Sequence, residues 1–188
     1  MTQSRKFTIE ERVRWGDVDA ARIIFYGSYI RFFEIAETEL FRAVGMSYGK
    51  VFDELDIWLP RVHLECDFHR AAQLDDLLEV SVYVGKVGRT SLRLNFEVRR
   101  RNEAGEIEEK LMATAHFVLV STKREDLKPI PIPEELRAAL EPYAEAGSSS
   151  GRTPNSLKAG LVHATAPRSN DPSRATEPTR GDRRPRGR

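Results

Sequence analysis

The sequence predicts an α+β fold in which one long helix is wrapped by a curved antiparallel sheet of about five strands. Five segments alternate apolar and polar residues with the period of two that is typical of strands. Residues 29–44 instead repeat their apolar side chains at helical spacing. Because each strand has one apolar face and only one long helix is available to cover the strands, we expect the sheet to curve around that helix.

The first strand and the helix occupy the start of the chain. Apolar and polar residues alternate over residues 7–15, and a loop follows through residues 17–22. We expect Ser28 to cap the long helix and Gly45 to end it. Residues 47–55 fit a second, short helix.

Four more strands follow the helix. Residues 101–105 are typical of a hairpin connection between the last two strands, and residues 134–145 of a short surface helix. An open sheet of this kind has unpaired edges, which predicts pairing into a homodimer or homotetramer. The predicted apolar faces consist of Val62, Leu64, Cys66 and Phe68; Leu78, Val80, Val82 and Val84; Leu92, Leu94, Phe96 and Val98; and Leu111, Ala113, Ala115, Phe117 and Leu119.

Composition divides the chain into a domain over residues 1–146 and a tail over residues 147–188. The tail is rich in Pro, Ser and Arg and has no aromatic residue, so we expect it to be disordered. Its nine Lys/Arg against three Asp/Glu give it a charge of +6, which leaves −5 for the domain. Because no aromatic residues alternate with the arginines, nucleic-acid binding by this basic tail is not expected.

Cysteine content and hydropathy predict a cytoplasmic location. Cys66 is the only cysteine, so no internal disulfide can form. No window approaches the roughly 18–20 apolar residues that span a bilayer, and we expect no membrane span. The first residues lack the apolar segment of a secretory signal.

Two carboxylates, Asp17 and Asp19, lie on the loop ahead of the helix. The first turn of a helix presents free N–H groups and a partial positive charge, which stabilise the oxyanion formed during acyl transfer. A nearby carboxylate can attack the carbonyl or activate a water. The alternative is that both aspartates only shape the turn or cap the helix, and their spacing alone does not decide between these roles.

Other kinds of site are less well supported. His63, His69 and His116 do not have the spacing of a zinc site, and we expect neither a metal nor a cofactor. Cys66 alternates with apolar neighbours, which favours a buried strand residue over a nucleophile. The sequence has no Gly-x-Ser-x-Gly elbow and no phosphate-binding glycine loop, which argues against a serine hydrolase or a nucleotide-dependent enzyme.

Three motifs occur in the order found in one known family. The first holds an aromatic residue, two alternating aspartates and three further aromatics, namely Trp15, Asp17, Asp19, Phe25, Tyr26 and Tyr29. Residues 67–76 are similar to "Phe-x-x-Pro-Ala-x-x-Gly-Asp", and residues 88–91 to a "Gly-x-(Thr/Ser)-Ser" turn. Over about residues 7–135 the chain thus resembles the 4-hydroxybenzoyl-CoA thioesterase-like group of hotdog-fold proteins.

The resemblance implies an enzyme that hydrolyses acyl-CoA, with an aryl or a short- or medium-chain acyl group, to the free acid and CoA. The second Asp of the motif, here Asp19, would be the catalytic carboxylate, as a nucleophile or as a general base. The backbone N–H of Tyr26 would polarise the thioester carbonyl. Arg89, with Thr90 and Ser91 beside it, would meet the CoA phosphates, although Arg89 also fits a solvated turn residue.

Two departures from the family pattern leave the substrate open. Arg22 replaces a usual Gly, and Ala71 or Ala72 replaces a usual Pro. Because Gly suits tight backbone geometry, Arg22 would either alter the loop or project into the substrate approach as a binding residue.

The acyl group and one rival function stay open. Phe32, Phe33 and Trp58 fit either an acyl pocket or the core. The alternative function is non-catalytic binding of acyl-CoA or acyl-carrier protein, since fold does not fix function. A hotdog dehydratase would need a His on the loop beside the helix, and no His precedes His63.

Overall fold

The structure is a computed structural model that describes residues 5–145. The tail predicted over residues 147–188 lies outside the described residues, so its disorder and the domain boundary stay predictions. The elements in chain order are β1 (Phe7–Arg12), a 3₁₀ turn (Trp15–Asp17), α1 (Tyr26–Ala43), α2 (Tyr48–Asp53), β2 (Ile57–Trp58), β3 (Arg61–Phe68), β4 (Leu77–Val87), β5 (Ser91–Arg101), β6 (Ile107–Val120), β7 (Thr122–Lys123), α3 (Glu134–Leu140) and a second 3₁₀ turn (Glu141–Tyr143).

Five strands form one antiparallel sheet in the order β1-β4-β5-β6-β3. Helix α1 packs on one face of this sheet, and its Phe32, Phe33 and Leu40 are fully buried there. The predicted α+β architecture, with one long helix and five strands, is therefore confirmed. Strands β2 and β7 pair separately as a short ribbon that the sequence pattern did not predict.

The start of α1 differs from the prediction. The helix begins at Tyr26 with Phe25 as its N-cap, and no side chain caps it. The predicted cap residue, Ser28, lies inside the first turn and donates its hydroxyl to the carbonyl of Asp17 at 3.2 Å. The assignment of Ser28 as cap was wrong because its hydroxyl finds an acceptor in the preceding loop, which local sequence does not reveal.

Two strand faces also differ from simple alternation. Trp15 belongs to the 3₁₀ turn and is 79% exposed, because β1 ends at Arg12. In β6 the register with β5 shifts near Leu111, which opposes Arg99. This bulge turns Met112 into the core and leaves Leu111 half-buried.

The C-terminal part of the described chain completes the core. The helix predicted over residues 134–145 is α3 followed by a 3₁₀ turn. Leu136, Leu140 and Tyr143 are buried, so this segment packs against the domain on its apolar side. In the part of the chain that the structure describes, no helix combines the length and apolar composition needed to cross a membrane.

Strand β3 is an edge strand whose large apolar side chains are exposed. Leu64 and Phe68 pair with buried Phe117 and Ala113 of β6, so they lie on the face that carries α1. Helix α1 nevertheless packs mainly over β1 and β4, at the other edge. Leu64 is 43% exposed and Phe68 51% exposed, which leaves an apolar stripe along an unpaired strand.

Candidate active site

Asp17 holds the loop between β1 and α1 in shape. Its side chain is almost completely buried; one carboxylate oxygen accepts the N–H of Arg14 at 2.8 Å, and the other pairs with the guanidinium of Arg31. Its backbone carbonyl accepts the N–H of Phe25 at 2.8 Å. These contacts connect the loop to the start of α1. Because both carboxylate oxygens of Asp17 are engaged, neither is available for chemistry.

Asp19 is exposed and oriented. Its Oδ1 accepts the N–H of Ala21 at 2.8 Å, and its backbone N–H donates to the carbonyl of Ile23 at 3.0 Å. Within residues 5–145 no protein group donates to Oδ2 of Asp19. One oxygen thus fixes the carboxylate while the other stays available to a ligand or a water.

The first turn of α1 presents free donors. Because Phe25 supplies no side-chain cap, the N–H groups of Tyr26 and Gly27 have no acceptor among the described residues. Helix α1 has eighteen residues, so these N–H groups lie at the positive end of a long helix dipole. This arrangement suits the oxygen of a polarised carbonyl.

A pocket of about 330 Å³ joins the loop to the helix start. One wall comes from the loop and the first turn of α1, and the other from the end of β3 and the segment after it. The bridge between Ile23 and Gln73 holds the two walls together. The lining residues are Asp19, Ile23, Ile24, Tyr26, Tyr29, Phe68, His69, Arg70 and Ala71.

Of the six site residues predicted from sequence, Asp19 and Tyr26 line this pocket. Sequence reasoning did not assign the second wall, residues 68–71, to the site. The similarity of residues 67–76 to a family motif was the signal that could have identified it, since a motif outside the core often marks a site.

Tyr29 forms a neutral apolar wall of the pocket. Its ring is 5.5 Å from that of Phe68, and its hydroxyl donates to the carbonyl of Arg70 at 3.5 Å. Burial raises the pKa of Tyr29 to about 12. The phenol therefore stays protonated at neutral pH and does not compete with Asp19 as a base.

Arg22 adopts the left-handed backbone conformation, with φ of 62°. Its N–H donates to the carbonyl of Asp19 at 2.9 Å, closing the turn that orients the carboxylate. The loop thus keeps the conformation that suits a Gly, even though Arg stands there. The exposed Arg22 side chain is not among the pocket-lining residues, and its predicted role in binding stays a prediction.

The turn with Arg89, Thr90 and Ser91 lies far from this pocket within one chain. Ser91 pairs with Val120 of β6, whereas Phe68 at the pocket pairs with Ala113. Ala113 and Val120 are seven residues apart along β6, so the turn lies about 24 Å from the pocket end of the sheet. The carbonyls of Arg89 and Thr90 accept N–H groups of residues 132 and 121, while the Arg89 side chain is exposed.

The remaining candidates lie elsewhere. Phe32 and Phe33 belong to the core. Trp58 is not among the pocket-lining residues; its ring packs against that of Phe52, with 4.6 Å between the ring centroids and the planes tilted by 59°. Cys66 is half-buried on β3, and burial raises the pKa of its thiol to about 11, which keeps it unreactive. His63 and His116, which sequence spacing did not connect, come together with Glu65 on the outer face of the sheet.

Comparisons with known proteins agree with this architecture. The family model described as the thioesterase-like superfamily matches residues 13–140. Acyl-CoA thioesterase YbgC of Haemophilus influenzae is 31% identical over 136 residues, which cover 71% of this chain and 93% of that protein. The 4-hydroxybenzoyl-CoA thioesterase of Pseudomonas sp. strain CBS-3 is 24% identical over 134 residues, covering 70% of this chain and 95% of that protein.

Solved structures show the same fold. The structure of the Pseudomonas 4-hydroxybenzoyl-CoA thioesterase superposes with a TM-score of 0.65 at 25% identity, covering 72% of this chain and 99% of that one. Slr0204 of Synechocystis, a 1,4-dihydroxy-2-naphthoyl-CoA thioesterase, gives a TM-score of 0.65 at 22% identity, covering 72% of this chain and 96% of that one. The predicted hotdog fold and the family resemblance are confirmed: the chain belongs to the thioesterase-like superfamily.

Proposed function

We propose that this protein hydrolyses the thioester of acyl-CoA to a free acid and CoA. One observation carries the proposal: one pocket is lined by Asp19, whose Oδ2 has no donor among residues 5–145, and by Tyr26 at the helix start, whose N–H has no acceptor among those residues. Those are a base or nucleophile and an oxyanion site, the two elements that acyl transfer needs. Relatives named as acyl-CoA thioesterases support the assignment of the substrate class.

The reaction follows from this arrangement. The thioester oxygen accepts the N–H of Tyr26, which makes the carbonyl carbon more electrophilic. Asp19 either takes a proton from a water that adds to that carbon, or adds to it directly to form a mixed anhydride that water then cleaves. In both routes the C–S bond breaks, and the CoA thiolate leaves and takes up a proton.

We further propose that the working unit is a homodimer paired through β3. The exposed apolar stripe of this edge strand, with Val62 at 60% and Phe68 at 51% exposure, supports antiparallel pairing with a second copy. A two-fold axis would reverse the strand direction. Arg89 of the partner subunit would then lie near the pocket end of β3, where CoA phosphates can be bound. The predicted tetramer and cytoplasmic location stay predictions.

The first test removes the carboxylate charge. Asp19→Asn is expected to lower kcat about 10²–10⁴-fold, as for loss of a catalytic base. The assay measures release of free thiol from a panel of aromatic, short-chain and medium-chain acyl-CoAs, with circular dichroism to check the fold. Asp53→Asn, an exposed aspartate on α2, is the matched control and should keep full activity. Full activity of Asp19→Asn would refute the assignment.

The second test removes a single backbone N–H. Proline is favoured at the first position of a helix, and Phe25 already has the extended backbone that a following proline requires, with φ −67° and ψ 131°. Tyr26→Pro should therefore keep the fold but lower kcat about 10²–10³-fold, the usual cost of one oxyanion donor. Tyr26→Ala keeps the N–H and should lose far less activity.

The same panel separates hydrolysis from binding alone. If the wild-type chain binds acyl-CoA in calorimetry but releases no thiol from any member, the protein is a non-catalytic acyl-CoA binder. Turnover that depends on Asp19 and on the N–H of Tyr26 excludes that alternative.

A further inference from the structure

Three side chains converge on the outer face of the sheet, opposite to α1. Glu65 on β3 pairs directly with His116 on β6, and His63 lies two residues before Glu65 on the same face. One ligand atom from each side chain lies within 4.8 Å of the others. Glu65 Oε2 is 3.6 Å from His63 Nε2 and 4.0 Å from His116 Nε2.

These three atoms surround a space instead of bonding to one another. Both separations exceed a hydrogen bond, and the two imidazole rings are 5.1 Å apart between centroids. As plain ion pairs, such exposed contacts would contribute little to stability. The three side chains therefore bring potential ligand atoms together without interacting strongly with one another.

The dimensions match those of a metal site. Zinc binds imidazole nitrogen at about 2.0–2.1 Å and carboxylate oxygen at about 2.0–2.2 Å in a tetrahedral arrangement, so ligand atoms lie about 3.3–3.5 Å apart. Side-chain rotations that move the atoms by about 1 Å would reach this spacing. The paired backbone of β3 and β6 already fixes the positions from which the three side chains start.

We propose that His63, Glu65 and His116 bind one divalent transition-metal ion of the zinc class, with a water at the fourth position. Two imidazole nitrogens favour zinc, cobalt or nickel over magnesium and calcium, which prefer oxygen ligands. Two further charged side chains lie near His116: Arg93 on β5 and Asp67 on β3. The Arg93 guanidinium donates to Asn95 at 2.9 Å.

The site is separate from the candidate active site. None of its three residues lines the pocket, and they lie on the opposite face of the sheet from α1. A metal ion here would cross-link the edge strand β3 to β6. Binding should therefore raise the melting temperature of the protein without being needed for thioester hydrolysis.

The test uses the untagged full-length chain after treatment with a chelator. Titration with zinc chloride in a calorimeter is expected to show one ion per chain, and cobalt chloride should give the visible absorption of a four- or five-coordinate site. His116→Gln and Glu65→Gln should each weaken zinc binding by on the order of 100-fold or more, because they remove a direct ligand.

Matched controls use histidines outside the cluster. His69→Gln, directly after β3, and His163→Gln near the C-terminus should both keep wild-type affinity. Absence of binding by the wild-type chain would overturn the proposal. Wild-type affinity in His116→Gln, or loss of binding in His163→Gln, would also overturn it because the ion would then be bound elsewhere.

Discussion

The strained backbone at Arg22 allows a sharp test of how the loop that carries Asp19 is built. A residue with a Cβ in the left-handed region costs about 1–2 kcal/mol, and Arg22 has φ of 62°. Its N–H closes the turn onto Asp19 at 2.9 Å, so the strain lies in the turn that orients the proposed catalytic carboxylate.

Arg22→Gly should relieve this strain. Glycine makes the unfolded chain more flexible, which offsets about 0.4–1 kcal/mol of the gain. The net expected stabilisation is about 0.5–1 kcal/mol, or a melting temperature about 2–4 °C higher for a domain of this size. Arg22→Ala removes the same side chain but keeps the Cβ, so its stability should match the wild type within about 0.5 kcal/mol.

Urea unfolding followed by circular dichroism measures these differences. If Arg22→Gly is no more stable than the wild type, or if Arg22→Ala gains as much as Arg22→Gly, the reasoning from backbone strain is refuted. Because both variants lack the Arg22 guanidinium, their kcat/KM values show whether that group contributes to substrate binding. Because this side chain does not line the pocket, we expect kcat/KM to stay near the wild-type value, and a loss shared by both variants would assign it to substrate binding.

Three further predictions follow from buried or exposed groups. Burial raises the pKa of Glu37 even though Arg61 lowers it, so this carboxylate binds a proton more readily in the folded state than in the unfolded state. The free energy of unfolding should therefore rise from pH 7 towards pH 4.5 in the wild type, and should rise less in Glu37→Gln. Equal slopes of the free energy of unfolding against pH in the two proteins would contradict this. Asp17→Ala breaks the pair with Arg31 and should cost about 1–3 kcal/mol in urea unfolding, whereas an unchanged midpoint would rule out a structural role. Leu64→Lys on β3 should give monomers in light scattering with lower kcat/KM, and an intact dimer would argue against pairing through this strand.

Local patterns in the sequence predicted most of the elements. Alternation and helical spacing depend on residues two to four positions apart, so they are visible without any knowledge of pairing. Local patterns also placed Asp19 just ahead of the long helix, whose first N–H groups have no acceptor among residues 5–145. The predictions for Ser28 and Leu111 failed because each depends on a distant partner: the carbonyl of Asp17 for Ser28, and the register with β5 for Leu111.

The sequence by itself determined the fold class, and its resemblance to a known family predicted that Asp19 and Tyr26 belong to one site. The tertiary structure decided the rest of the site. Strand order β1-β4-β5-β6-β3 sets β3 against β6, about fifty residues later in the chain, which brings Glu65 opposite His116 and leaves the apolar stripe of β3 exposed. It also places residues 68–71 as the second wall of the pocket and Arg89 at the far end of the sheet. Register between distant strands is fixed by which side chains the whole core can bury, so no local pattern encodes it.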